Sequence, residues 1–538
     1  MDLPTLPTPA LAVSSAQRKR WAAIARPLAQ WLVLLGMCGG IIYSYVFFVS
    51  AGKMNGFPDW PTYNTNFDMQ AEGFRSGHLY LSLAPSPELL ASIDPFDPVN
   101  SNYWARDLTL YKRHYYLYWG PLPAILLAAV KAVLRINAVV GDQYLCFVSY
   151  VLLLLAGLVL IRRVARRLFP RAPFALTAVG FLAYAFANPT PYLLATPGVY
   201  QTAIVAAQAF LVAGLAFAFE AIAPHAGARR WRRPAELAGA GLCWAMAIAC
   251  RVSVSVPVLA LTLVTLGVIW WRAGAATDWA ARARDAAWLV VPIAAGVVGL
   301  LIYNKLRFDG WLNFGQRYQL NDPELRFRLS VSYIWPNIYT YLFRPIVRSC
   351  HFPFAKTIWD LNARAFPKGF VVPRGYLIAE PVAGIVLTMP WSWLAPVGWW
   401  AGVRTLLRAR RAPAAAAAGA GDDAYQRGLI WGALCFATLA TLTALPWVAV
   451  FSCTMRYIAD VSTGLALSGL LGAWWLYTCV RERHLALRIL VVTVIVVLAL
   501  WTAAMGALLG FSGYIEHFRH FNPELMDRLE ASLSVCGG

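Results

Sequence analysis

Charge is scarce in this chain. Only 13% of its 538 residues are Asp, Glu, Lys or Arg. There is no G-x-x-x-x-G-K-[ST] run, which argues against a P-loop ATP-driven pump. No H-E-x-x-H and no close His/Cys cluster points to bound zinc, and no G-x-S-x-G elbow points to a serine hydrolase. His517 and His520 are spaced i, i+3 near the C-terminus, and a solvated surface accounts for them better than a metal site does. The nine cysteines show no C-x-x-C spacing. Most fall within apolar segments, where Cys is a small apolar filler. Cys350, Cys453 and Cys536 fall outside them, so a Cys350–Cys453 disulfide is allowed.

What the chain has instead is apolar length. It is 59% hydrophobic, in repeated stretches of about 20 residues, enough to cross a bilayer as helices. The expected fold is an all-α polytopic membrane protein. The formal charge of +20 would suggest nucleic acid in a soluble protein. Here the basic residues cluster at the ends of apolar stretches, as membrane orientation requires, so no nucleic-acid partner is expected.

The basic clusters set a parity. Arg18, Lys19, Arg20 and Arg26 precede the apolar stretch Trp31–Ser50, which reads as an uncleaved anchor running outward. Arg162, Arg163, Arg166 and Arg167 follow Tyr144–Ile161, which therefore runs inward. The intervening Gly120–Leu134 cannot cross, and at roughly 15 residues it is short of a span. It is predicted to lie at the outer surface as a juxtamembrane helix. Continuing the same logic gives about 11 spans, among them Phe174–Ala187, Leu237–Ala249 and Pro381–Val403, with Arg229, Arg230 and Arg272 inside. The predicted organisation is a cytoplasmic tail 1–30, a transmembrane domain 31–511 with outer loops 52–143 and 304–380, and an external tail 512–538. Residues 1–17 read as disordered and Pro413–Gly421 as a flexible linker.

Chemistry-bearing residues concentrate in the outer loops. Asp68 and Glu72 are spaced i, i+4 and share a helix face, where one carboxylate can act as a general base and the other tune it. A solvated helix carrying two acids is the alternative. Asp107 is the third candidate. Tyr111, Tyr115, Tyr116, Tyr118 and Trp119 crowd the approach to the juxtamembrane helix. Such aromatics anchor a helix at the interface and also offer flat faces to sugar rings. In the second loop, Arg317, Arg344 and Arg348 suit a lipid phosphate, with His351 and Lys356 nearby. Arg456 and Arg251, each between two spans, are further candidates.

The stretch from Asp68 to Gly77, the segment Tyr115-Tyr-Leu-Tyr-Trp-Gly-Pro-Leu-Pro-Ala124 and the Arg162–Arg167 run together resemble the GT-C superfamily of membrane glycosyltransferases. Protein O-mannosyltransferases and the aminoarabinose transferase of lipid A are similar in plan. Pro87-Glu-Leu-Leu90, Asp107-Leu-Thr-Leu-Tyr111, Arg307-Phe-Asp-Gly310 and Met455-Arg-Tyr457 also look like segments of poorly characterised bacterial multi-spanning proteins. One departure stands out. The better-known enzymes carry an Asp about fourteen or fifteen residues before the Gly that matches Gly77, where this chain has Thr62-Tyr63.

The resemblance implies an inverting transferase on the outer face of the bacterial cytoplasmic membrane. The donor would be a sugar on a polyprenyl phosphate, and the acceptor a lipid or glycan. Asp68, Glu72 or Asp107 would be the catalytic base. Arg317, Arg344, Arg348 and Arg456 would hold the phosphate, and Tyr115, Tyr118 and Trp119 would line the substrate site. No cofactor is required, although a divalent metal would be compatible. Two other readings stay open: a transporter or flippase of a lipid-linked glycan, and a non-catalytic envelope-assembly protein.

Overall fold

The computed structural model describes residues 15–54, 56–224, 231–271, 278–322, 328–358, 366–411 and 420–535. The expected disorder over 1–17 and the linker over 413–421 fall largely outside these residues. Arg229, Arg230, Arg272 and Cys536 fall wholly outside them.

The fold is helical, as expected. Among the described residues, eight helices are long and apolar enough to cross a membrane: Pro27–Val49, Asp142–Leu168, Val199–Ile222, Val252–Trp270, Trp279–Phe308, Asp422–Val448, Met455–Val480 and Leu485–Ser512. The other three predicted spans take different forms. Phe174–Ala185 is a helix of only 12 residues. The short segment around Leu237–Ala249 extends to a helix over Arg232–Cys250. Pro381–Val403 is not one helix. It breaks into Ile385–Thr388, a 3-10 turn at Pro390–Leu394, and a helix from Ala395 to Arg411. Pro390 cannot continue the helical hydrogen bonding, which gives the break its cause.

The chain divides into two compact units, 1–44 and 45–538. The first contributes most of the anchor helix Ser15–Val49.

The first loop forms two longer helices, with a one-turn helix at Pro87–Ala91 and a hairpin between them. Asn66–Arg75 buries Phe67, Asp68, Gln70 and Ala71 on one face. Thr109–Tyr111 pairs antiparallel with His114–Tyr116, and Lys112 and Arg113 at the turn both adopt the left-handed backbone that such a tight hairpin demands. The juxtamembrane segment is a helix over Leu122–Leu134, with Pro at its start and Arg135 in a left-handed cap. Thirteen residues rising 1.5 Å each cover about 20 Å, less than the hydrocarbon core of about 30 Å. The loop has its own core. Phe67, Leu81, Leu89, Trp104, Leu110 and Leu117 pack together and against Val199 and Ala203 at the start of a long span.

The second loop closes onto the first. Asp107 N–H donates to Leu320 O at 3.2 Å, and Leu320 N–H donates to Leu108 O at 2.9 Å. Cys453 is a free, buried thiol in a short strand at Ser452–Cys453 that pairs parallel with Leu377–Ile378. Cys350 is disulfide-bonded. The Cys350–Cys453 bond allowed by the sequence is therefore not the one made.

Candidate functional site

Gly120 fixes the position of the aromatic approach. A Cβ there would sit 2.0 Å from Ala249 O, so only glycine lets the loop press against the end of the Arg232–Cys250 helix. Trp119 and Tyr118 are carried to the mouth of a cavity of about 290 Å³. Tyr200, Trp447, Tyr457, Arg251 and Arg307 also line it. Tyr118 stacks on Trp119 with ring centres 3.9 Å apart, and its hydroxyl donates to Tyr200 Oη at 3.2 Å. Trp447 stacks on Tyr457 at 4.1 Å.

Two guanidinium groups face this aromatic box. Arg251 donates to Asp460 Oδ1 at 2.6 Å and lies 4.6 Å over the Trp447 ring. Arg307 is different. It is 3% exposed, yet no carboxylate among the described residues pairs with it. Its hydrogen bonds go to Leu117 O at 2.6 Å and Asn304 Oδ1 at 2.9 Å, while its buried Nε has no partner among the described residues. It rests on the Tyr303 ring at 3.9 Å. A buried cation whose neighbours are carbonyls and rings is electrostatically incomplete, and an anion in the cavity would complete it.

A second cluster adjoins the cavity through Tyr200. Arg456 lies 4.0 Å over the Tyr200 ring and is ion-paired with the buried Glu380. Asp107, in a left-handed turn, is half-buried. Its Oδ1 accepts from Gln319 Nε2 at 3.1 Å and Asn321 Nδ2 at 3.0 Å. No hydrogen bond from the described residues reaches its other oxygen. Burial pushes the Tyr118 hydroxyl up, the Asp107 charge adds to this, and Arg456 works against it. Burial likewise raises Tyr63 and Tyr514, and both feel the charges of Glu380, Arg456 and Asp107. Asp107, Glu380 and Arg456 thus act on one group of tyrosines.

Other sequence candidates lie elsewhere. Asp68 is 3% exposed; its Oδ1 accepts from Lys131 Nζ at 2.7 Å and from Val140 N–H at 3.1 Å. Glu72 pairs with Lys131 at 2.5 Å and Arg75 at 2.8 Å. The Lys131 ammonium hydrogen-bonded to it holds Glu72 below the usual carboxylate range, and Arg75 adds to that. Neither acid lines the cavity. Tyr115 is buried in the loop core, where its carbonyl accepts from Leu81 N–H at 2.8 Å. Arg344 is fully buried and donates to Ile358 O at 2.9 Å. Arg348 is exposed in a two-residue strand. Arg317 is exposed and stacks 4.6 Å over Tyr318, next to the cavity-lining Gln316. Of the sequence candidates, the structure brings together Asp107, Arg251, Arg456, Tyr118 and Trp119.

Sequence reasoning missed Arg307, Glu380, Tyr200, Trp447, Gln319 and Asn321 as site residues. It also missed Lys131, although a lysine inside the apolar stretch Gly120–Leu134 was a signal in itself. Among the described residues, no group of three His, Cys, Asp or Glu side chains is placed to hold a metal ion.

No protein-family model matches the sequence, and no curated protein matches it. The structure is similar to the apo oligosaccharyltransferase of Archaeoglobus fulgidus, with a TM-score of 0.50 at 10% identity over 89% of this chain. That match spans only 56% of the archaeal chain. The likeness is one of fold, over most of this chain. ArnT from Cupriavidus metallidurans also matches. Its apo form gives a TM-score of 0.45 at 14% identity, over 92% of this chain and 78% of that one. Its form bound to undecaprenyl phosphate gives 0.47 at 13%, over 92% and 77%.

Proposed function

We propose that the protein is a membrane glycosyltransferase that moves a sugar from a polyprenyl-phosphate donor to an acceptor hydroxyl at the outer face of the bacterial cytoplasmic membrane. The observation that carries this reading is Arg307, a buried cation without a carboxylate partner, set in the wall of an aromatic cavity. The lipid phosphate would take the place of the missing anion.

The acceptor oxygen attacks the anomeric carbon. The bond from that carbon to the phosphate oxygen breaks, and the phosphate leaves with the electron pair. One displacement inverts the anomeric centre. Asp107 is the proposed base. Its Oδ1 is held by two amides, so its other oxygen is free to take the acceptor proton. Arg307 stabilises the charge that develops on the phosphate, and Arg251 lies in the same wall. Tyr118, Trp119, Tyr200 and Trp447 offer ring faces to the sugar. Arg456 is held by Glu380 and orients Tyr200. No step calls for a nucleotide or a metal.

The test is transfer of radiolabelled sugar from polyprenyl-phosphate sugars to membrane lipids or glycans by the purified protein in proteoliposomes. Asp107→Asn keeps the shape and removes the base. General-base contributions are roughly 10²–10⁴-fold, and transfer should fall by that factor. Full activity in Asp107→Asn overturns the assignment. Movement of a lipid-linked glycan across the bilayer without transfer would favour the transporter.

A further inference from the structure

The chain after the last span is fastened to the loops. Phe518 and Met526 pack with Ala51 and Phe352. Asn522 Nδ2 donates to Ala51 O at 2.9 Å, and Val535 N–H donates to Cys350 O at 2.9 Å. The short helix His517–Phe521, which carries the Phe518 anchor, sets His517 in a T-shaped contact with Tyr63, with ring centres 5.0 Å apart.

Tyr63 links this tail to the site. A Cβ at Gly198 would lie 2.9 Å from Tyr63 Cδ1, so the ring packs against the start of the Val199–Ile222 helix. Two residues further on stands Tyr200, whose ring carries Arg456. Tyr63 remains 39% exposed. Its ring therefore meets His517, and part of its surface stays open. Tyr514, at the other end of the same tail segment, feels the charges of Glu380, Arg456 and Asp107.

We propose that the C-terminal tail is a wall of the reaction site, in which His517 is a positioning residue that holds Tyr63 against the start of the Val199–Ile222 helix, next to the Tyr200–Arg456 cluster. This rests on the reading of that cluster as the transfer site. The tail supplies the contact that orders Tyr63.

The packing fits a neutral imidazole. Burial pushes His517 down to about 4, and the neighbouring His520 adds to this. The rings around it are Tyr63, His520 and Phe521. The adjacent Glu516 is engaged with Lys356 at 3.0 Å and Arg519 at 3.9 Å. A free His titrates near 6.5. Undocked, His517 binds a proton more readily than it does docked. Acid should therefore loosen the contact as pH falls from about 6.5 towards 4.

The test places 3-fluorotyrosine at position 63 of the full-length protein in nanodiscs and follows its fluorine resonance. His517→Ala should shift and broaden the signal, and His517→Phe, which keeps an edge-on ring, should restore it. Lowering the pH from 7 to 4.5 should move the parent signal but not that of His517→Phe. A merely structural tail would show no such pH profile. A resonance unmoved by His517→Ala and by acid overturns the proposal. Undecaprenyl phosphate separates the two readings. A signal that answers to His517 but not to this lipid overturns the donor assignment and leaves the His517–Tyr63 relation standing.

Discussion

Lys131 Nζ lies 2.7 Å from Asp68 Oδ1, and both side chains are almost wholly buried. The pair bolts the Asn66–Arg75 helix to the juxtamembrane helix Leu122–Leu134. Burial works against the Lys131 charge, but Asp68 and Glu72 together outweigh it and raise its pKa. The geometry gives this buried acid a fastening task.

Asp68→Asn should therefore destabilise the protein. Breaking a buried pair by removing one partner costs about 3–5 kcal/mol, and Glu72, which also pairs with Lys131, puts the loss at the lower end of that range. Thermal unfolding in nanodiscs should show a clear fall in Tm, and transfer should decline with the folded fraction. The double variant Asp68→Leu, Lys131→Met should recover part of the loss, because no lone charge stays buried. Parent stability with abolished transfer in Asp68→Asn would make it the base after all.

Gln319 and Asn321 should matter through Asp107. Both amides bind the same oxygen and so fix the carboxylate plane. Misplacing a reacting group by about 1 Å can cost 10²-fold in rate. Gln319→Leu with Asn321→Leu should lower kcat by roughly 10–100-fold and leave binding of undecaprenyl phosphate unchanged. Equal loss in both would place these amides in donor binding instead.

Arg307→Gln should weaken undecaprenyl phosphate. A hydrogen bond to a charged group contributes about 1.5–3 kcal/mol, or roughly 10–100-fold in Kd. Arg348→Ala should have no effect, because that side chain is exposed in a two-residue strand. Titration by intrinsic tryptophan fluorescence reads both, since Trp119 and Trp447 line the cavity. An unchanged Kd in Arg307→Gln would remove the observation on which the donor reading stands.

The short helix at Leu122–Leu134 was legible in the sequence because an apolar stretch and its length are local facts. The aromatic approach at Tyr118 and Trp119 was legible for a similar reason. Glu380, Gln319 and Asn321 were not. Each reaches the site through a long-range fold of the second loop, and no periodicity marks it. Arg307 was visible only as part of a motif. Its importance lies in the carboxylate it lacks, which only the packed structure reveals. Asp68 shows the opposite failure. The i, i+4 spacing with Glu72 did put both acids on one face, but the face meets Lys131 rather than a cavity.

Glu380 offers the sharpest separation of charge from shape. It is ion-paired with Arg456, both are largely buried, and its Oε2 has no hydrogen-bond partner among the described residues. The pair is close to neutral as it stands, so Arg456 contributes little net charge to an incoming phosphate. Glu380→Gln keeps the volume and removes the negative charge. The field around Tyr200 then becomes more positive, and undecaprenyl phosphate should bind more tightly, with a steeper dependence on salt. Transfer should nevertheless fall, because Arg456 loses the partner that fixes it over the Tyr200 ring and is drawn towards the phosphate. Tighter lipid binding with slower transfer is the expected signature in Glu380→Gln, measured by titration at two ionic strengths beside the transfer assay. Weaker binding in this variant would mean that Glu380 itself touches the donor, and the pair would then belong to the sugar subsite rather than to its support.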